Sequence, residues 1–261
     1  MQVMILCGGL GTRLREETEY RPKPMVEIGG RPILWHIMKI YAAQGFREFV
    51  LCLGYKSAVI KDYFLNYETF ANDFTLTLGS TKKVKFHNAH TEEGWKITFV
   101  ETGASAMTGM RVLRALPYIK SEQFALTYGD GVANIDLKAE VAFHLKHGCQ
   151  ATVAAVRPPS RFGEMVIDDK QQVSDFLEKP DVGPGQMNGG FFLLKKNGLE
   201  KYLQPAEESL IFERQPLEKL ARAKQLKAFQ HSGFWQPMDT YREFEMLNEL
   251  WRKDQAPWKV W

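Results

Sequence analysis

Apolar residues along this chain fall into two alternating patterns. "VMILC" (Val3 to Cys7) is a short unbroken apolar run ending at glycines, the pattern of a strand buried on both faces. Pro32 then opens "PILWHIMKIYAAQG", where Ile33, Ile37, Ile40 and Tyr41 recur on one helical face and Gly45 supplies a stop. "EFVLCLG" predicts a second buried strand and "YKSAVIKDYFLNY" a second amphipathic helix. The alternation continues through "KITFVET" (strand), "TGMRVLRALPYI" (helix), "FALTYGD" (strand), "DLKAEVAFHLKHG" (helix) and "ATVAAV" (strand). Strand and helix alternating at this spacing predict an α/β fold, a Rossmann-like, mostly parallel mixed sheet with helices on both faces. Ligands of such sheets sit beyond the carboxyl ends of the strands, where "CGGLGTR" and "YGDG" fall.

From Glu164 the pattern changes. "EMVIDD", "QQVSDFLEK" and "GGFFLLKK" predict short strands separated by turns, and "TYREFEMLNELWRK" a helix. Between about residues 66 and 98, "DFTLTLG" and "KKVKFHNAH" read as an inserted β-hairpin, with the lysines guarding an edge strand. Repeats, low-complexity runs and interdomain linkers are absent from the sequence. The expectation is one domain over 1–261, with that hairpin inserted and a C-terminal helix and tail over about 240–261.

Charge and cysteine content narrow the setting. Thirty-four basic against 31 acidic residues leave +3, too little to indicate a nucleic-acid or membrane surface. No apolar stretch approaches the length of a membrane span. Cys7, Cys52 and Cys149 have neither pairing nor metal spacing, which predicts reduced, buried thiols in a cytoplasmic protein.

The loop "LCGGLGTRL" carries the first candidate chemistry. It is not a dinucleotide turn, because Leu14 stands where the third glycine belongs. Nor is it a P-loop, because Gly11 is followed by Thr12 and Arg13. Glycines after a first strand let backbone N–H groups approach an anion, and Arg13 and Lys23 add cationic reach. A tight turn with solvated cations would read the same way. Asp130, between two glycines after a buried strand, suits either a metal at the ligand edge or a turn. Asp239, ahead of the last amphipathic run, suits an N-cap by spacing alone. His144 and His147 lie one helical turn apart without a further metal ligand, and His87 and His90 have no better claim. Trp251, Trp258 and Trp261 suit packing onto the domain or a second subunit.

The combination says more than its parts. "LCGGLGTRL" followed by "KPMVEIGGRPIL" resembles the sugar-1-phosphate nucleotidyltransferases. "SAMTGMRV", "TYGDGV", "RFGEMVI", "FLEKP", "MNGGFF" and "GFWQPMDTYREF" resemble the branch that joins CTP and α-D-glucose 1-phosphate, and the likeness covers essentially the whole chain. It implies the nucleotide-diphospho-sugar transferase fold, a Mg²⁺ cofactor and transfer of CMP to the sugar phosphate, giving CDP-glucose and pyrophosphate. Asp130 and Asp239 match the metal-binding aspartates, Lys23 the lysine on the reacting phosphates, and Arg13 the arginine that steadies the leaving pyrophosphate. Arg13, Lys23 and Asp130 are thus the catalytic candidates. Leu6, Gly8, Gly9, Leu10, Gly11 and Thr12 would line the nucleotide, with Gly129 beside them. Thr102, Ser105, Thr108 and Gly109 match the loop near base and ribose. Gly163, Glu178, Lys179, Asn188 and Gly189 match the sugar-phosphate positions. The hairpin and tail resemble regions used in subunit contacts, which implies a homo-oligomer. Two alternatives stay open: an enzyme of this fold using UTP or dTTP, and a non-catalytic nucleotide-sugar-binding subunit. The second should have lost its metal carboxylates or phosphate cations, and this chain keeps Arg13, Lys23, Asp130 and Asp239.

Overall fold

The continuous apolar runs become the middle of a seven-stranded sheet. The computed structural model describes the chain apart from residues 10, 12–13, 80–82, 89–91, 93, 158–163, 170 and 178–184, and the side chains of 15, 16, 164, 166, 167, 176 and 177. The strands are β1 (Gln2–Leu6), β2 (Glu48–Leu53), β3 (Lys96–Glu101), β4 (Gln123–Tyr128), β5 (Ala151–Val156), β6 (Met187–Lys195) and β7 (Leu226–His231). Their order across the sheet is β7-β5-β6-β4-β1-β2-β3. β1 is parallel to β2 and β4, β2 to β3, and β5 to β7. β6 runs antiparallel to both of its neighbours, β4 and β5.

Strand periodicity of two sorts the core onto two faces. Val3, Ile5, Phe49, Leu51, Phe191 and Leu193 pack with Ile33, Ile37 and Ile40 of α1 (Ile33–Ala43). α2 (Ser57–Leu65) and α4 (Leu137–His147) add Ile60 and Leu137 to this face. Met4, Leu6, Val50, Cys52, Phe192 and Leu194 face the other way, toward Val112 and Ala115 of α3 (Thr108–Ala115) and Leu220 of α5 (Gln215–Arg222). With both faces covered, the strands need no polar side, hence their unbroken apolar composition.

α1 is buried from Ile33 to Ala42, because α6 (Tyr241–Arg252) and the tail cover its outer side. His36 anchors that cover. Its Nε2–H donates to the Ile28 carbonyl at 2.8 Å, and its Nδ1 accepts from Trp258 Nε1 at 3.4 Å. The rings of Trp251, Trp258 and Trp261 surround it edge-on or tilted, so the tail tryptophans pack onto this chain's own domain.

Some expectations change. "GGFFLLKK", expected as a short strand, belongs to the nine-residue β6 at the heart of the sheet, where Gly189 to Leu194 are buried between β4 and β5. α5 and β7 went unread: β7 is an edge strand whose sequence mixes Lys, Gln and His with its apolar positions. The helix expected through Tyr67 stops at Leu65, where the Asn66 amide folds back onto Asp62, and a short helix restarts at Tyr67–Ala71. Cys7 and Cys52 are buried, and burial pushes the Cys52 thiol up to about 12. Cys149 is half-buried instead, because it follows the Gly148 cap of α4 at the end of the sheet. His144 and His147 bracket the Thr152 hydroxyl at 2.7 and 2.8 Å, a polar cross-link between α4 and β5. Among the described residues no helix is long and apolar enough to cross a membrane.

α4 also buries an acid. Glu140 is 1 % exposed, its Oε1 has no hydrogen-bond partner among the described residues, and burial pushes its carboxyl up to about 8. His36 and His144 are shifted oppositely, both lowered by burial to about 4. The folded state therefore holds the Glu140 proton after the unfolded chain has released it, and stability falls as pH rises from about 4.5 towards about 8. The histidines add stability as pH rises from about 4 to about 6.5 and then stop contributing. Thermal midpoints measured between pH 6.5 and 8 should decline in the native protein, and Glu140→Gln should flatten that decline.

Candidate active site

Proline restricts the backbone on both sides of Lys23. Residues Lys23–Met25 form one 3₁₀ turn between Pro22 and the next strand, with Met25 N donating to Pro22 O at 2.8 Å and Val26 N to Lys23 O at 3.1 Å. The side chain is nearly buried and points past the ends of β1 and β4. Its ammonium donates to Asp130 Oδ2 at 2.6 Å and to Asp239 Oδ1 at 2.5 Å.

A short ladder brings the two carboxylates together. Gly131–Ala133 pairs antiparallel with Trp235–Pro237, Gly131 opposite Pro237, and Met238 N donates to Asp130 O at 2.8 Å. Asp239 leaves this ladder just ahead of α6. It does not cap the helix: Thr240 does, in a capping box with Glu243 whose carboxylate accepts from the Thr240 and Asp239 N–H groups. The Asp239 side chain turns instead to the Lys23 ammonium. Burial alone would lower the Lys23 ammonium, but Asp130 and Asp239 together outweigh it and hold it above its ordinary value.

Two cavities meet at these carboxylates. The larger, about 460 Å³, is walled by Leu6, Gly8, Gly9 and Gly11 of the opening loop, by Ser105 and Thr108, and by Gly129. The smaller, about 260 Å³, is walled by Asn188, Gly189 and Trp235. Tyr128, Asp130 and Asp239 belong to both walls, and Lys23 to the first. Leu10, Thr12, Arg13, Gly163, Glu178 and Lys179 lie outside the described residues, as does His90.

Thr102 and Gly109, expected near base and ribose, reach neither wall. The Thr102 hydroxyl is fully buried and donates to Leu53 O at 2.6 Å. Gly109 N donates to Leu210 O at 2.9 Å, and a Cβ there would lie 2.7 Å from Leu210 Cγ, so this glycine packs against the protein interior. What sequence reasoning missed is Arg111. Almost wholly buried, it donates through Nη1 to Leu53 O (3.0 Å), Thr102 Oγ1 (2.9 Å) and Gly103 O (2.8 Å), and through Nη2 to Gly8 O (2.9 Å). One planar fork ties the opening glycine loop to the loop before α3. Gly8 is required for that approach, because a Cβ would stand 2.1 Å from Arg111 Nη1. The available signal was an arginine beside Val112 in the core-facing stripe of α3.

The nucleotidyl transferase family profile matches residues 2–250. The chain belongs to the nucleotidyl transferase family. Glucose-1-phosphate cytidylyltransferase of Salmonella typhi is 47 % identical over 262 residues, covering 100 % of both chains. The probable glucose-1-phosphate cytidylyltransferase of Bacillus subtilis strain 168 is 45 % identical over 261 residues, again covering 100 % of both. Among solved structures, HddC from Yersinia pseudotuberculosis superposes with a TM-score of 0.69 at 26 % identity, covering 96 % of this chain and 99 % of that one.

In this nucleotidyltransferase the wall of the larger cavity therefore depends on a nearly buried cation that itself forms part of the lining. Lysine at position 111 would supply a point charge too compact to span Gly8 and Gly103 together. Arg111→Lys should cost about 2–4 kcal/mol of stability, read as a lowered thermal midpoint. It should also raise the KM for nucleotide about tenfold, by loosening the loop pair.

Proposed function

We propose that this chain transfers CMP from CTP to α-D-glucose 1-phosphate, giving CDP-glucose and pyrophosphate. The observation that carries the reading is the convergence of Lys23, Asp130 and Asp239 where a larger and a smaller cavity meet. The larger has the size and glycine-lined wall of a nucleotide site. The full-length likeness to proteins named glucose-1-phosphate cytidylyltransferase supports the choice of base and sugar.

The phosphate of the sugar needs no general base, because its oxygen is already anionic near neutral pH. That oxygen forms a bond to the α-phosphorus of the nucleotide while the bond from α-phosphorus to the β-phosphate bridging oxygen breaks. The electron pair leaves with pyrophosphate. Bringing two polyanions together is the obstacle, so charge and alignment do most of the catalysis. Lys23 puts a held ammonium at the meeting point of the cavities, where negative charge gathers in the transition state. Gly8, Gly9 and Gly11 edge the nucleotide cavity, where the lack of side chains would let backbone N–H groups approach phosphates. Arg13 would steady the pyrophosphate, and Gly163, Glu178 and Lys179 would join Asn188 and Gly189 around the sugar phosphate.

Asp130 and Asp239 fit a Mg²⁺ ion: hard oxygen donors, two in number, directed at one cationic position, with room for phosphates and water. When bound there, Mg²⁺ would neutralise triphosphate charge. In this reading the enzyme works in the cytoplasm as a homo-oligomer. In support, the hairpin Phe74–Thr77 and Lys83–Phe86 aligns Phe74, Leu76, Val84 and Phe86 on one side, each 38–40 % exposed.

Pyrophosphate release with Mg²⁺ and glucose 1-phosphate, compared across CTP, UTP, dTTP, ATP and GTP, should be strongest with CTP. Preference for another nucleotide would overturn the base assignment, and no release with any would favour a binding protein. Asp130→Asn should cut turnover by at least about 100-fold while the thermal midpoint stays near that of the native enzyme.

A further inference from the structure

The two cavities are joined by a hydrogen-bonded chain that no motif announces. Glu213 precedes α5 and lines neither cavity. One of its carboxylate oxygens accepts from Thr108 Oγ1 at 2.6 Å and the other from Tyr128 Oη at 2.5 Å. Thr108 Oγ1 itself accepts from Phe212 N at 2.9 Å, so both hydroxyl protons are committed to the same carboxylate. A hydroxyl has one proton to give. Toward the smaller cavity, then, the Tyr128 oxygen acts only as an acceptor, and it accepts from Asn188 Nδ2 at 3.3 Å.

The direction of that chain helps to hold Asn188 as it stands. Its Oδ1 accepts from Gly190 N at 2.9 Å, while its Nδ2 faces Tyr128. The second Nδ2 hydrogen is left as a donor on the cavity wall. The Gly190 N–H holds Oδ1 inward, and a Tyr128 hydroxyl that donated toward Asn188 would meet the Nδ2 donor head-on; the committed proton removes that conflict and lets Tyr128 hold the Nδ2 side. The tyrosine is also fixed in place: a Cβ on Gly190 would stand 2.4 Å from Tyr128 Cδ2, so the ring lies directly on the β6 backbone.

We infer that Glu213 is a positioning residue which, through Tyr128, orients the Asn188 amide so that the smaller cavity offers an N–H donor to an acceptor oxygen of the sugar phosphate. The inference rests on the assignment of that cavity to the sugar phosphate made above. Because the same carboxylate holds Thr108 on the nucleotide wall, one side chain outside both cavities sets a polar group in each.

The test is a steady-state double-mutant cycle on the full-length enzyme with Tyr128→Phe and Glu213→Gln, singly and combined, with thermal midpoints measured alongside. Tyr128→Phe keeps the ring and removes only the hydroxyl. It should raise the KM for glucose 1-phosphate by about three- to tenfold, the scale of one hydrogen bond, and move the KM for CTP by less than about twofold. Glu213→Gln should raise the KM for glucose 1-phosphate similarly in the native background and add nothing in the Tyr128→Phe background. Equal effects of Glu213→Gln in both backgrounds would overturn the inference, as would parallel shifts of both KM values in Tyr128→Phe or no shift at all. Native turnover tests the parent reading separately: if the enzyme prefers another nucleotide, that reading falls and the same split is read with the preferred one.

Discussion

Among the described residues, two carboxylates converge on the Lys23 ammonium at the end of the sheet, and the rest of the site is arranged around that contact. Two like charges about 4 Å apart repel by about 4 kcal/mol at an effective dielectric constant near 20. Asp130 and Asp239 are nonetheless held together by the ladder from Gly131 to Pro237 and by the Met238 N–H on the Asp130 carbonyl. Lys23 offsets the repulsion, and its own ammonium is held above its ordinary value in return. Both carboxylates stand at the junction of two cavities. A site of that kind attracts cations and, through them, polyphosphates.

The sheet makes this arrangement rigid, and a buried polar group on each face connects it to the loops. On one face Arg111 gathers the carbonyls of Gly8, Leu53 and Gly103, so the glycine loop and the loop before α3 move as a unit. On the other, His36 receives Trp258 and holds the tail over α1. That tail follows α6, whose first turn begins directly after Asp239. Each polar group is buried and hydrogen-bonded, the condition under which burial does not penalise it. The Glu213 carboxylate plays a comparable part at the boundary of the cavities, where it sets the proton direction of two hydroxyls at once.

Much of this was legible along the chain. The apolar runs from Val3, Phe49 and Phe124 became central strands because strands covered on both faces must be apolar throughout, and a short apolar run bounded by glycine has few other uses. Helices α1, α3, α4 and α6 were readable from their periodicity. The central place of β6 went unread because nothing local distinguishes a strand that reverses direction inside a sheet from one that borders it. β7 was missed because an edge strand can carry Lys227 and Gln230 without cost.

For the site, the sequence by itself determined the chemical types and their places: glycines after the first strand, a lysine between prolines, an aspartate after β4 and another ahead of the last helix. Only the tertiary structure decided which groups meet. Local spacing could not tell that Thr240 rather than Asp239 caps α6, because both precede the same amphipathic run. Nor could it show that Thr102 turns inward to Leu53, that Arg111 ties together the loops of the wall it lines, or that Glu213 holds both walls from behind. Those roles depend on hydrogen bonds to backbone carbonyls and hydroxyls distant in the chain, and such partners leave no period, spacing or charge pattern in a sequence.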